Sequence, residues 1–438
     1  MIFFDITTTA TWHGTSVGIS RVENELAKGL SQANFDEFGY CIYDLKSEKY
    51  YKVKDEIASR ILRKEITLTL SDISVFAEYV LKNNNKAGSK LKRKSIPARA
   101  DIKGVLENLD SYTSIIDNNK SWNLYHLSDV LECELILSPR TTVINAGLDW
   151  DNKNIRSIRI LKEKYKFKYV SVLYDLIPIN TPQYLVPGYE QKLKRYFGEL
   201  FWIADTLACI SKTTLKDAIE YIKYHKLNSP NLFHWDLGAD LVEKNDHQDH
   251  LPWGEPDFPF GLYVSTIEPR KNHRTLVNAF YRAIREERVP AETKLIFVGR
   301  QGWCVGDLFT EISMNPTVRD RIVIMSSLTD AELDRLYRLA RFVVFPSYYE
   351  GYGLSLAEAL HHNKACLCSD RGSLREVGLD APIYLDPDDT ISWTDHISEL
   401  FSSDAKVEQL EAAAAGSKRP TTWKHSSEEF YTKLKKTL

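Results

Sequence analysis

Residues 345–360 read Phe-Pro-Ser-Tyr-Tyr-Glu-Gly-Tyr-Gly-Leu-Ser-Leu-Ala-Glu-Ala-Leu. An apolar run ends at Pro346, a turn holding Gly351 and Gly353 follows, and a helix is predicted to start near Gly353. Two glycines let backbone approach a ligand closely, and the first amides of a helix suit a phosphate. Glu350 lies in the turn. Glu358 falls four residues after Leu354, on an apolar face where a carboxylate needs a partner. Sugar hydroxyls are one such partner, and favouring the helix dipole in an early turn is the plainer account.

A second run, Tyr263-Val264-Ser265-Thr266-Ile267-Glu268-Pro269-Arg270-Lys271-Asn272-His273, also leads from a strand into a helix. Arg270 and Lys271 could neutralise a leaving diphosphate without a metal, or form a solvated surface pair. A third glycine-containing loop, Trp12-His13-Gly14-Thr15-Ser16-Val17-Gly18-Ile19-Ser20-Arg21, enters a helix near the N-terminus. It either lines a cleft from the other side or is an ordinary connection.

Two α/β halves must position these loops. In the first, Met1–Phe4, Thr141–Asn145, Tyr169–Leu173 and Thr206–Ile210 read as buried strands, with helices over Val17–Leu30 and Tyr189–Ala204. In the second, Leu262–Ser265, Leu295–Val298, Ile322–Met325, Phe342–Phe345 and Ala365–Cys368 are continuous apolar runs. Such runs suit parallel strands covered on both faces, with crossovers over Thr275–Glu287, Asp330–Ala340 and Leu354–His361. The proline-bearing stretch Glu243–Pro259 reads as the seam, and a last helical pattern spans Ser426–Leu438. All three loops follow strands of parallel sheets, at the carboxyl edge where such folds bind ligands.

The 438 residues carry 57 Lys+Arg against 60 Asp+Glu, so a nucleic-acid-wrapping role starts from no basic excess. No apolar run is long enough to span a bilayer, and Met1–Asp5 lacks the charge pattern of a signal peptide. A cytosolic location is expected. Cys366 and Cys368 read as buried strand residues, and no Cys-x-x-Cys pair suggests zinc. Residues 82–99 hold seven Lys/Arg and no acid, a solvated insertion or a patch for anionic lipid. Phe201 and Trp202 read as core residues of an amphipathic helix. Asp149-Trp150-Asp151 superficially matches an Asp-x-Asp metal motif, with a helix N-cap the simpler account. His361-His362 reads as an electrostatic helix C-terminus.

Together these segments resemble family 4 of the retaining glycosyltransferases, which have the GT-B fold of two doubly wound Rossmann-like domains facing a cleft. Glu350 and Glu358 match that family's glutamate pair within Glu-Gly-Tyr-Gly-Leu-Ser-Leu-Ala-Glu, and Glu268-Pro269-Arg270-Lys271-Asn272 matches the diphosphate stretch of its mannosyltransferase-like and rhamnosyltransferase-like members. Val298–Trp303, Ser373–Val377, Tyr174–Pro178 and Gly18–Val22 are similar to further family positions. The resemblance runs over residues 1 to 415 except an insertion near 46–120. It implies an N-terminal acceptor-side domain over 1–245, a nucleotide-sugar domain over 259–415, and a C-terminal helix over 416–438 packing back toward the first domain.

The implied reaction moves a hexose or deoxyhexose from a nucleotide diphosphate sugar, GDP-mannose slightly favoured, with retention at the anomeric carbon. The implied acceptor is a lipid-linked or other saccharide of surface polysaccharide, reached by peripheral contact with the inner face of the membrane. No metal or other cofactor is expected. Arg270 and Lys271 would hold the diphosphate, Glu358 the ribose, and Glu350 the transferred sugar. Gly351, Tyr352, Gly353, Leu354, Gly299 and Thr266 complete the donor-side candidates. Asp175 joins Glu350, Lys271 and Arg270 as a catalytic candidate, and Gly18, Arg21, His126 and Tyr174 are candidates for the acceptor side. Two departures stand out: Ser265-Thr266 replaces a Gly-Arg pair, and Tyr174 takes the place of a histidine, which removes a base at neutral pH. His13 is a further candidate near the donor sugar. A nucleotide-sugar epimerase, a phosphorylase and a catalytically silent nucleotide-sugar-binding scaffold are the rival readings.

Overall fold

The computed structural model describes residues 1–12, 18–33, 35, 37–68, 94–95, 112–117, 122–126, 131–241, 250–418 and 420–438. The first domain is built on an eight-stranded sheet. Its spatial order is Asn231–His234, Thr206–Cys209, Lys168–Leu173, Thr142–Asn145, Ile2–Asp5, Phe38–Asp44, Lys49–Val53 and Leu131–Glu134. The first six strands are parallel, and Lys49–Val53 pairs antiparallel with both of its neighbours. Successive residues of the first strand feed opposite cores. Phe4 packs with Val22, Ile144 and Val170, whereas Phe3 packs with Tyr43, Val143 and Phe197. Both faces are therefore covered, as the unbroken apolar runs require.

The second sheet has six strands in the order Ile322–Met325, Lys294–Val298, Phe260–Val264, Phe342–Phe345, Cys366–Ser369 and Ile383–Leu385, all parallel. The five strands expected in this half are all present, within two residues at each end. Phe342 is fully buried at the centre, its ring 4.8 Å from that of Phe401 on the Thr390–Ser402 helix. Phe342→Ala should cost about 3–5 kcal/mol, because a packed core cannot collapse around a missing ring. A urea midpoint indistinguishable from the parent's would contradict that assignment.

The Trp423–Lys435 helix packs on the first domain, where Trp423, Phe430 and Leu434 join its core. Tyr352 and Ala357 of the second sheet's half enter the same cluster, so the two domains share apolar contact.

Several expectations are corrected here. Residues 46–68 pack into the first domain: Tyr50, Tyr51, Val53, Ile57 and Ile61 are buried in the Lys49–Val53 strand and Asp55–Leu62 helix. The first long helix runs Ile19–Ser31, with Gly18 at its N-cap. Phe201 is core, but Trp202 is exposed and Arg159 stands over its ring at 4.9 Å. The buried stripe of this helix runs through Leu193, Tyr196, Phe197, Leu200 and Phe201, and Trp202 falls beyond its edge. His13, most of the basic stretch 82–99 and residues 243–249 of the seam lie outside the described residues. No helix among the described residues is long and apolar enough to cross a membrane.

Candidate functional site

The Glu268–Asn272 loop and the turn after Pro346 follow adjacent strands of the second sheet, and backbone bonds tie them together. The Tyr348 amide donates to the Arg270 carbonyl at 2.9 Å. Asn272, held left-handed at φ 54°, donates from its side chain to the carbonyls of Pro346 (3.2 Å) and Pro387 (2.9 Å). The Tyr263 hydroxyl, from the Phe260–Val264 strand that leads into the first loop, donates to the Lys271 carbonyl at 2.8 Å. Gly299 completes this edge by close approach, since a Cβ there would lie 1.8 Å from the Ser265 carbonyl oxygen. That contact lays Arg300–Gly302 beside Thr266 and Ile267, with the Ile267 amide donating to the Arg300 carbonyl at 3.0 Å.

Arg270, Lys271 and Glu350 thereby meet. Lys271 Nζ lies 2.6 Å from Glu350 Oε1, and Arg270 Nη1 lies 3.1 Å from Oε2. Arg270 also pairs with Glu268 at 2.8 Å and donates to the Tyr349 carbonyl at 2.5 Å. Burial alone would raise the Glu350 carboxyl, but Lys271 and Arg270 outweigh it and hold the group at about 2. Just beyond, Gly353 adopts φ 94° and the Leu354–His361 helix begins, its first amides lacking intrahelical acceptors. Cations and helix-start amides thus share one end of the sheet, an arrangement suited to an oligophosphate.

Glu358 sits one helical turn deeper and is buried. Its Oε1 lies 2.7 Å from Nη1 of Arg21, contributed by the first domain, and its Oε2 accepts from the Tyr337 hydroxyl at 2.9 Å. Arg21 also pairs with Asp330. A capping box sets that helix in place: the Glu332 amide donates to Thr329 Oγ1 at 3.2 Å, and the Thr329 amide donates to the Glu332 carboxylate at 2.6 Å. Burial raises the Glu358 carboxyl to about 7, with Arg21 and Tyr337 opposing the rise.

The domains meet around this edge. Ser211 Oγ donates to the Gly351 carbonyl at 2.6 Å and Thr214 Oγ1 donates to the same oxygen at 3.2 Å. The Glu376 carboxylate accepts from the Lys212 (2.7 Å) and Thr213 (3.0 Å) amides at the start of the Lys212–His225 helix. Trp303 Nε1 donates to the Tyr184 carbonyl at 2.8 Å, and the Tyr184 and Tyr348 rings stack at 5.1 Å. Asp175 lies against Gly351; burial raises its carboxyl and Arg270 opposes the rise.

The first-domain candidates divide. Arg21 reaches the second domain, where it pairs with Glu358 and Asp330. Tyr174 is buried and its hydroxyl donates to the Ala146 carbonyl at 2.5 Å. His126 ends the Trp122–His126 strand of a small four-stranded sheet, and its side chain lies outside the described residues. Asp149 is no N-cap: it is buried, pairs with Lys153 at 2.6 Å and accepts from Tyr169 at 2.9 Å. His362 stacks on Tyr337 and burial lowers it to about 4, which leaves no charge for a helix terminus at neutral pH. Asp330, Tyr337, Ser211 and Thr214 escaped the sequence reading. The signal for the last two was a Ser/Thr cap directly after a buried strand. Among the described residues no cluster of three or more His, Cys, Asp or Glu is placed to hold a metal.

Residues 259–403 match the family model described as Glycosyl transferases group 1. The second sheet and its helices are thus similar to group 1 glycosyl transferases. Serotype-specific mannosyltransferase WbdA of Escherichia coli is 26% identical over 270 residues, which cover 59% of this chain and 32% of that protein. O-antigen chain mannosyltransferase B of Escherichia coli is 32% identical over 170 residues, 38% of this chain and 43% of its own. The chain thus spans less than half the length of either relative. Sucrose-phosphate synthase from Thermosynechococcus elongatus superposes with a TM-score of 0.60 at 14% identity, covering 99% of this chain and 98% of that one. Anabaena HepE in complex with UDP-glucose gives 0.61 at 12% identity, covering 99% of each chain. The fold is GT-B.

Proposed function

We propose that this glycosyltransferase chain moves a hexose or deoxyhexose, with retention, from a nucleotide diphosphate sugar to a lipid-linked or oligosaccharide acceptor of surface polysaccharide. Mannose from GDP-mannose is the favoured donor sugar, in keeping with the mannosyltransferase names of its relatives. The observation that carries the reading is the meeting of Arg270, Lys271, Glu350 and the Gly353–Leu354 helix start at one sheet edge.

In this reading Arg270 and Lys271 neutralise the departing diphosphate, so the proposal assigns it no metal. The bond from the anomeric carbon to the phosphate oxygen breaks while the acceptor oxygen bonds the same face. A phosphate oxygen takes the acceptor's proton, and no protein nucleophile is required. Glu350 holds hydroxyls of the transferred sugar, and Glu358 accepts from the ribose hydroxyls. The closed interface at Gly351 excludes water and limits donor hydrolysis. Work at the inner face of a membrane, through peripheral contact, completes the proposal.

The test is transfer and hydrolysis with GDP-mannose, UDP-glucose and dTDP-rhamnose, each with and without EDTA. Transfer from one donor, undiminished by EDTA, is expected. Binding of a donor with no transfer to any saccharide offered would favour a silent scaffold. Loss of transfer with EDTA would overturn the metal-free assignment.

A further inference from the structure

Arg21 lies in the Ile19–Ser31 helix of the first domain, yet its guanidinium is spent on the second. Its two terminal nitrogens divide between Glu358, at 2.7 Å, and Asp330. Arg21 is 5% exposed, Glu358 4% and Tyr337 0%, so closure of the domains buries a charge pair joined across 337 positions of sequence. A buried ion pair of this kind is weak evidence for stability, because desolvation offsets much of the attraction. Its geometry is specific all the same. The planar fork fixes one carboxylate oxygen of Glu358 while Tyr337 fixes the other. The charged and titratable groups around this contact are Asp330 and Tyr337 from the second domain, and Glu25 and Lys28 from Arg21's own helix.

We infer that Arg21 is a positioning residue of the donor site: reaching across the interface, it orients the Glu358 carboxylate and favours its ionised form, so that the nucleotide subsite is complete only when the domains are closed. The inference rests on the proposed role of Glu358 toward the ribose. It goes further in placing part of the nucleotide site on the first domain. An ionised carboxylate can accept from two vicinal hydroxyls, whereas its protonated form gives up acceptor capacity to its own O–H. Without a facing cation, a buried carboxylate takes a proton at a higher pH.

The experiment measures donor KM and kcat from pH 6 to 9 for the parent, Arg21→Gln, Arg21→Lys and Glu358→Gln, with GDP and UDP affinities by calorimetry. Arg21→Gln should raise donor KM about tenfold, with a smaller loss in kcat, as expected when a substrate-orienting contact is removed. In the parent, affinity should fall as pH drops through about 7, where Glu358 takes up its proton. In Arg21→Gln that fall should come at a higher pH. Arg21→Lys, which keeps the charge and loses the fork, should recover part of the affinity and the parent's pH midpoint. A merely structural arginine would leave the midpoint where it is. Donor KM within about twofold of the parent in Arg21→Gln, or tighter binding, would overturn the inference. If Glu358→Gln also leaves nucleotide affinity intact, the ribose reading itself fails. If Glu358→Gln weakens binding and Arg21→Gln does not, only the role of Arg21 falls.

Discussion

Lys271→Ala should lower turnover at saturating donor by at least about tenfold, and by 10²–10³ if Lys271 is worth a full preorganised donor of about 2.7–4 kcal/mol. The side chain is only 16% exposed, and Tyr263 and Asn272 fix the loop that carries it. In the proposed role its ammonium is held at this sheet edge and exchanges the Glu350 carboxylate for the diphosphate. Arg270 cannot fully replace it, being already engaged by Glu268 and the Tyr349 carbonyl. Lys271→Arg should recover only part of the loss, since a planar fork does not reproduce a compact ammonium. Turnover within about twofold of the parent would remove Lys271 from the diphosphate role.

Gly351→Ala should abolish most transfer without altering any charged group. A Cβ at this position would stand 2.7 Å from the Tyr174 carbonyl oxygen and 2.8 Å from Asp175 Cβ, both in the opposite domain. The first of these is backbone, which cannot rotate aside. The bond from Ser211 to the Gly351 carbonyl leaves the interface little room to slide. The expected result is a chain held partly open, with turnover down about 100-fold, as a misplacement of about 1 Å at the reacting centre costs. Nucleoside diphosphate binding should weaken less, because Arg270, Lys271 and the helix start belong to one domain. Small-angle scattering should show a larger radius of gyration than the parent's. Parent-like turnover would mean that the closed interface is not the working form.

Much of the second domain was legible in its residues, for a physical reason. A parallel strand covered on both faces must be apolar at every position, and Phe342-Val343-Val344-Phe345 or Ile322-Val323-Ile324-Met325 admits few other structures. The loops after such strands could be read for chemistry, which brought out Arg270, Lys271 and Glu350. The Phe38–Asp44 and Lys49–Val53 hairpin was harder. Its tyrosines bury their rings while polar residues interrupt the run, so neither a continuous nor an alternating pattern emerges. Trp202 was misread because its neighbour Phe201 is core and periodicity over two residues decides nothing. The pairing of Arg21 with Glu358 left no local signal at all. Spacing rules act over a helical turn or a hairpin, whereas this contact depends on how two separately folded sheets meet.

The most direct measurement is a crystal structure with bound GDP or UDP. The phosphates should lie against Arg270 and Lys271, with the amides at Gly353 and Leu354 donating to them and the ribose at Glu358. A diphosphate bound on another face, with both cations still paired to Glu350, would contradict the account.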